Sequence, residues 1–206
     1  MTATTKRIRK SVYSFYKHAT SRKKISNILN RENEIFLELG AGNKKGSSGW
    51  STIDMKKKCD IFWDLRKGIP FPDESVSKIY SSHFFEHLTF KEGQILLDEC
   101  LRVLIPGGTF SVCVPNARIY IEAYLNPELD TDKFLFFKPA YNNTTKIDYV
   151  NYTAYMDGVH KYMFDEENLV YILKAKGMKN VHLREFDPLL DLKARDFESI
   201  YAIAEK

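Results

Sequence analysis

The sequence predicts a doubly wound α/β domain with a mainly parallel sheet. A short apolar run, Ile35 to Leu39, ends in Gly40-Ala41-Gly42, as a buried strand does where it runs into a tight turn. Strand and helix patterns then alternate as far as Val114, the mark of right-handed crossovers between parallel strands. Acids stand near the ends of the first two strands: Glu38 lies two residues before the first glycine, and Asp54 lies twelve after the second.

Each element has its own warrant. Residues 6 to 29 set Ile8, Val12, Phe15 and Ala19 at helical spacing, with Lys6, Arg7, Arg9, Lys10 and Lys17 elsewhere around the wheel. Such a helix either covers the sheet and its ligand or lies on an anionic membrane surface through residues 6 to 24. After the glycine turn, only eight residues separate Gly42 from Ser51, too few for a crossover helix. The second strand, Trp50 to Ile53, therefore arrives by a loop and delivers Asp54 to its tip. Cys59 to Leu65 reads as a third strand, and Ile69-Pro70-Phe71-Pro72-Asp73 as a stiff approach to a fourth, Lys78 to Ser82.

Thr89 and Glu92 form a capping box that opens a helix with Leu97, Cys100, Leu101 and Leu104 inward. Pro106-Gly107-Gly108 should stop it, and Thr109 to Val114 supply the fifth strand. Residues 116 to 163 hold seven of the twelve tyrosines, with Phe134, Phe136 and Phe137, and read as a lid or insertion over the sheet's carboxyl edge. Asp165 caps a helix that ends at Gly177, with Leu169, Ile172 and Leu173 inward. Val181 to Leu183 and Ser199 to Ala204 complete the strands.

Composition bounds the function. At 206 residues with 44% hydrophobic and 28% charged residues, the chain has the make-up of one soluble domain. The division is a basic N-terminal helix in residues 1 to 31 and a ligand-binding domain in residues 32 to 206. No apolar stretch has transmembrane length, and no signal-peptide core is present. Cys59, Cys100 and Cys113 are odd in number and lack metal spacing, which favours free thiols in the cytoplasm. Residues 1 to 31 carry nine Lys/Arg and no acid, leaving 22 Lys/Arg against 27 Asp/Glu elsewhere, a balance of −5. No base-reading motif accompanies the basic segment, so sequence-specific nucleic-acid binding is not expected.

Open α/β sheets bind ligands at the carboxyl ends of their strands, and an acid at a second strand's tip can hold both ribose hydroxyls. These residues therefore point to a nucleoside cofactor. The third glycine of a dinucleotide fingerprint is misplaced in Gly40-Ala41-Gly42-Asn43-Lys44-Lys45-Gly46, and a P-loop's Gly-Lys-Ser/Thr is missing.

The ordered set Glu38-Leu39-Gly40-Ala41-Gly42, Asp54, Asp64-Leu65, Pro70 to Asp73, Ser81-Ser82-His83, Glu86-His87-Leu88 and Leu101 to Gly108 resembles the class I S-adenosylmethionine-dependent methyltransferases, in their type 11 group. The tail phrases His160 to Asp165 and Asp196 to Ser199 look like small bacterial members associated with surface-polysaccharide genes. The resemblance implies a Rossmann-like seven-stranded sheet, S-adenosylmethionine as cofactor, and a small-molecule or sugar-containing acceptor methylated on a hydroxyl or amine. It implies that Gly40, Ala41 and Gly42 approach the cofactor and that Glu38 meets its amino-acid end or orders the loop. Asp54 and Met55 would flank the ribose, Asp64 and Leu65 the adenine, and Ser81, Ser82 and His83 the sulfonium. The chain departs from most members in the short segment after Gly42. Two other readings stay open: a non-catalytic cofactor-binding partner, and a nicotinamide-dependent enzyme.

A sulfonium methyl is already activated, so the protein must align donor and acceptor and exclude water. A hydroxyl acceptor also needs a base, for which His83, His160 and Glu86 are candidates, with activity rising near pH 6.5 if the histidines are unperturbed. His83-Phe84-Phe85-Glu86-His87 spells the H-x-x-E-H of certain zinc proteases but begins at a strand end, which argues against that class. The phrase also resembles the acid-histidine pattern by which some RNA and quinone O-methyltransferases bind a divalent ion, with His160 as an added ligand. The plainer role for Glu86 and His87 is to orient the loop after the fourth strand, and no metal ligand is expected.

Overall fold

The computed structural model describes residues 17–30, 34–128 and 145–206. Seven strands form one sheet: β1 (Phe36–Leu39), β2 (Trp50–Asp54), β3 (Ile61–Phe62), β4 (Val76–Ser82), β5 (Leu104–Pro115), β6 (Lys179–Leu183) and β7 (Ser199–Glu205). Their order is β3-β2-β1-β4-β5-β7-β6. The first five pair in parallel, while β7 runs antiparallel to both β5 and β6. The order reverses between β1 and β4, which puts a crevice at the carboxyl ends of those strands. The doubly wound, Rossmann-like expectation holds, and it includes the loop route from β1 to β2, where residues 40 to 49 form turns without a helix.

One face of the sheet carries the core. Leu37, Leu39, Ile53, Ile61, Ile79, Phe110, Val112 and Ala202 are buried in one cluster with side chains from three helices. The first helix spans residues 17–30 (α1) and contributes Ile25. The second, α2 (Phe90–Val103), contributes Leu96, Leu97, Cys100 and Val103. Leu169, Ile172 and Leu173 come from a helix at Glu166–Ala175.

The capping box forms as the sequence predicts: Thr89 Oγ1 accepts from the Glu92 amide, and the Glu92 side chain accepts from the Thr89 amide. The helix stops three residues earlier than Pro106, however. Leu104 already pairs with Val76, so Pro106-Gly107-Gly108 lies inside β5 at a register shift. Arg102 in the last turn donates to the carbonyls of Ile69 and Phe71 at 2.9 and 3.0 Å and pairs with Glu99 and Asp73. This guanidinium staples the proline-stiffened approach to β4.

Two further sequence expectations need correction. The third strand is only Ile61–Phe62, because Asp64 accepts from the Arg66 amide and starts a 3-10 turn at Leu65–Lys67. The buried face of α1 is Ser21 and Ile25, with Ile28 and Leu29 against the core, whereas Ala19 is exposed. Ile8, Val12 and Phe15 lie outside the described residues. Ser21 is inward because its hydroxyl accepts from the Phe62 amide at 2.8 Å, satisfying a donor on the sheet's edge strand.

In the tyrosine-rich segment, α3 (Ala117–Leu125) and α4 (Lys146–Tyr155) bury a second small cluster of Tyr120, Ala123 and Tyr149. Phe134, Phe136, Phe137 and Tyr141 lie outside the described residues. The helix at Glu166–Ala175 (α5) follows, capped by Asp165. No described helix is long and apolar enough to cross a membrane.

Candidate active site

The glycine turn closes on itself before any ligand is considered. Gly40 and Gly42 adopt φ of +69° and +64°, the left-handed region that glycine enters without strain. The Phe84 ring packs directly on Gly40, and a Cβ there would lie 2.0 Å from its Cγ. A Cβ on Gly42 would meet nothing within 4 Å, so that glycine serves the backbone conformation and leaves the turn open. The buried Glu38 carboxylate pairs with Lys44 at 2.8 Å and ties the loop back onto β1. Asp60 fastens the rest of the loop, its Oδ2 accepting from the amides of Gly46 and Thr52 and from the Thr52 hydroxyl.

Two cavities open at the carboxyl edge. The first, of about 190 Å³, is lined by Asp54, Met55, Trp63, Asp64, Leu65, Arg66, Phe84, His87, Leu88 and Lys161. Asp54 Oδ2 accepts from the Gly42 amide and Oδ1 from the Lys56 amide, both at 2.9 Å. Each oxygen keeps a further lone pair, so the carboxylate is oriented by the backbone and can still accept two hydroxyls. Beside it, Trp63, Met55, Leu65 and Leu88 supply flat and apolar walls. Trp63 is held by its indole N–H, which donates to the Gly68 carbonyl at 2.9 Å. Asp64 forms a two-point pair with Arg66 at 2.9 Å for each bond, which holds its carboxyl below the usual range.

The second cavity, of about 130 Å³, shares His87 with the first. His83, Glu86, His160, Tyr120, Tyr152, Arg195 and Glu198 are among its walls. The Tyr120 hydroxyl donates to Glu198 at 2.5 Å, bridging α3 to the start of β7. Burial pushes His83 down to about 3 and lowers His160 as well. Both imidazoles are therefore neutral across the physiological range, and His83 is a weak proton acceptor; the sequence expectation of a rise near pH 6.5 does not survive that burial. Burial pushes the Glu86 carboxyl up to about 8.

The structure thus brings Asp54, Met55, Asp64 and Leu65 to one cavity and His83, Glu86 and His160 to its neighbour. Glu38, Gly40, Ala41, Gly42, Ser81 and Ser82 line neither. Ser81 is fully buried between β4 and β1, its hydroxyl donating to the Leu39 carbonyl at 3.2 Å, so it braces the strands instead of facing a sulfonium. Trp63, Phe84, Arg66 and Lys161 were not singled out from sequence. The only signal for the first two was their place inside the phrases Ile61 to Leu65 and His83 to His87.

Known proteins match part of the sequence and the fold. A family model described as a methyltransferase domain matches residues 57–112. A probable S-adenosylmethionine-dependent methyltransferase of Mycolicibacterium smegmatis is 42% identical over 57 residues, which amount to 26% of this chain and 21% of that relative. The matched stretch is thus about a fifth of the relative's length. Solved S-adenosylmethionine-dependent methyltransferases share the fold across nearly the whole chain. That of Archaeoglobus fulgidus has a TM-score of 0.51 at 16% identity, covering 94% of this chain and 99% of its own. The fold is that of solved S-adenosylmethionine-dependent methyltransferases, and residues 57–112 are similar to a methyltransferase domain. The Methanosarcina mazei structure (TM-score 0.52, 18% identity, 87% of this chain and 96% of its own) has the same fold.

The residues present fit the methyltransferase cofactor. A ribose needs paired acceptors and adenine a flat apolar slot, and the first cavity supplies Asp54 for one and Trp63, Leu65 and Leu88 for the other. When bound, S-adenosylmethionine supplies the activated methyl group.

Proposed function

We propose that this methyltransferase methylates a hydroxyl of a small, sugar-containing acceptor held in the second cavity. The supporting observation is the junction of the two cavities at His87. A nucleoside-shaped cleft thereby adjoins a pocket lined by three histidines, Glu86, Glu198 and two tyrosines. Tyrosine rings suit stacking on a sugar face, while carboxylates and imidazoles accept hydrogen bonds from its hydroxyls. The chain's own residues then do three things. Asp54 and the Trp63 wall fix the cofactor, Tyr120 and Tyr152 exclude water around the acceptor, and the neutral imidazoles orient its hydroxyl. Small-acceptor modification in surface-polysaccharide or secondary-metabolite synthesis is the setting this chemistry suits.

Labelled methyl transfer tests the reading. Wild type will transfer to hydroxyl-bearing sugar acceptors, and Tyr152→Ala will raise KM for them several-fold while S-adenosylhomocysteine binds as before. Intact cofactor binding with no transfer to any hydroxyl acceptor in a broad panel would contradict it and favour a non-catalytic partner role.

A further inference from the structure

Hydrogen-bond partners fix the tautomers of the three histidines in the second cavity. His87 Nδ1 lies 3.0 Å from the Val159 carbonyl and His160 Nδ1 lies 2.9 Å from the Thr153 carbonyl. Carbonyls only accept, so both Nδ1 atoms carry the proton and both Nε2 atoms present lone pairs. His83 follows a different route to the same end. The Ser199 hydroxyl spends its proton on the Arg195 carbonyl at 2.6 Å and so accepts from His83 Nε2 at 2.8 Å. That leaves the lone pair on His83 Nδ1, which lies 3.6 Å from Glu86 Oε1.

Glu86 is 2% exposed, and its Oε2 has no hydrogen-bond partner. His87 Nε2 lies 3.9 Å from the other oxygen of the same carboxylate, and the His87 and His160 rings are 4.9 Å apart. One ligand atom from each of Glu86, His87 and His160 falls within 4.8 Å of the others. Arg195 lines the same cavity without hydrogen bonding to any of them. Imidazole lone pairs and the Glu86 carboxyl oxygens thus face one another with no amide or guanidinium hydrogen-bonded between them, an arrangement that a bound cation would complete.

We propose that Glu86, His87 and His160 bind one divalent first-row transition ion. Two imidazoles and one carboxylate are a donor set suited to zinc, cobalt or iron, and the nitrogen ligands disfavour magnesium and calcium. Each ligand atom would move inward by at most roughly 0.7 Å to reach bond lengths near 2.0–2.2 Å. The Nδ1–H bonds to Val159 and Thr153 are the outer contacts that aim histidine ligands at a metal. Three protein ligands leave a position open toward the cavity. If the methyltransferase reading of that cavity holds, on which only this role rests, the open position would take the acceptor's hydroxyl oxygen and lower its pKa, so that its proton could pass to bulk water.

The test is metal binding by the untagged full chain, stripped with chelator and titrated with cobalt(II) and zinc(II). Wild type should take up one equivalent, with visible cobalt bands of a four- or five-coordinate site. His160→Ala and the near-isosteric Glu86→Gln should each weaken uptake by more than about tenfold. His182→Ala, at an exposed histidine on β6, should match wild type. Circular dichroism and S-adenosylhomocysteine binding show that each variant is folded. No stoichiometric uptake by wild type, or uptake that survives both substitutions in folded protein, overturns the site. Specific uptake without methyl transfer leaves the site standing and overturns only the functional reading.

Discussion

Replacing Asp191 by Ala will destabilise the protein by about 3–5 kcal/mol, the cost of breaking a buried ion pair from one side. Asp191 takes two bonds from Arg184 at 2.6 and 2.8 Å, one from the Tyr80 hydroxyl at 2.9 Å and one from the Asp187 amide at 2.7 Å. Its side chain is 1% exposed and that of Arg184 is 13% exposed, so little solvent screening remains. Without the carboxylate, Arg184 and the Tyr80 hydroxyl lose their principal partner on that face of the sheet. Burial alone would raise the Asp191 pKa, but the Arg184, Asp187 and Tyr80 bonds outweigh it and hold the pKa below its ordinary value. A depressed folded-state pKa contributes stability above the ordinary aspartate value of about 3.9 and loses it as pH falls through the lowered one. The gap between wild type and Asp191→Ala should therefore be full at pH 7 and shrink in acid. Urea unfolding at both pH values measures it, and a gap under about 1 kcal/mol at pH 7 would reject the account of this network.

Gly40→Ala is the second large effect. The left-handed backbone costs a non-glycine residue about 1–2 kcal/mol before any contact is counted. The new methyl would then overlap Phe84, 2.0 Å from its Cγ, and expel a ring that packs against the core and lines the cofactor cleft. Stability and S-adenosylhomocysteine affinity should fall together. Adding Phe84→Ala removes the overlap, so the double variant should be less destabilised than the two single effects summed, by an interaction term within about 0.5–3 kcal/mol. Strict additivity would place the ring elsewhere.

Fold and cofactor class were legible because each rests on local pattern. The apolar run into Gly40-Ala41-Gly42, the Thr89 capping box and the Asp165 cap all depend on neighbours within a few residues. The missing crossover helix could be read from eight intervening residues alone. Long-range partners were not legible. Asp60 looked like one more acid near a short strand, yet it holds a loop eight and fourteen residues away. Ser81 looked like part of a site phrase, but pairing with the Leu39 carbonyl, 42 residues away, turns it into the sheet. Arg184 and Asp191 carried no motif, since their pairing depends on how the segment before β7 folds back over Tyr80 and Ser111. The histidines were legible as a group and illegible in their protonation. That depends on the carbonyls of Thr153 and Val159 and the hydroxyl of Ser199, which no spacing reveals.

The central claim, a nucleoside cleft organised by Asp54 at the tip of β2, is tested most directly by calorimetric titration with S-adenosylhomocysteine. Wild type should bind one equivalent and show no heat with NAD. Asp54→Ala should bind about 1.5–3 kcal/mol more weakly, roughly tenfold to over a hundredfold, because a charged acceptor to the ribose is lost. Failure of folded wild type to bind S-adenosylhomocysteine, or an Asp54→Ala affinity equal to wild type, would contradict the account.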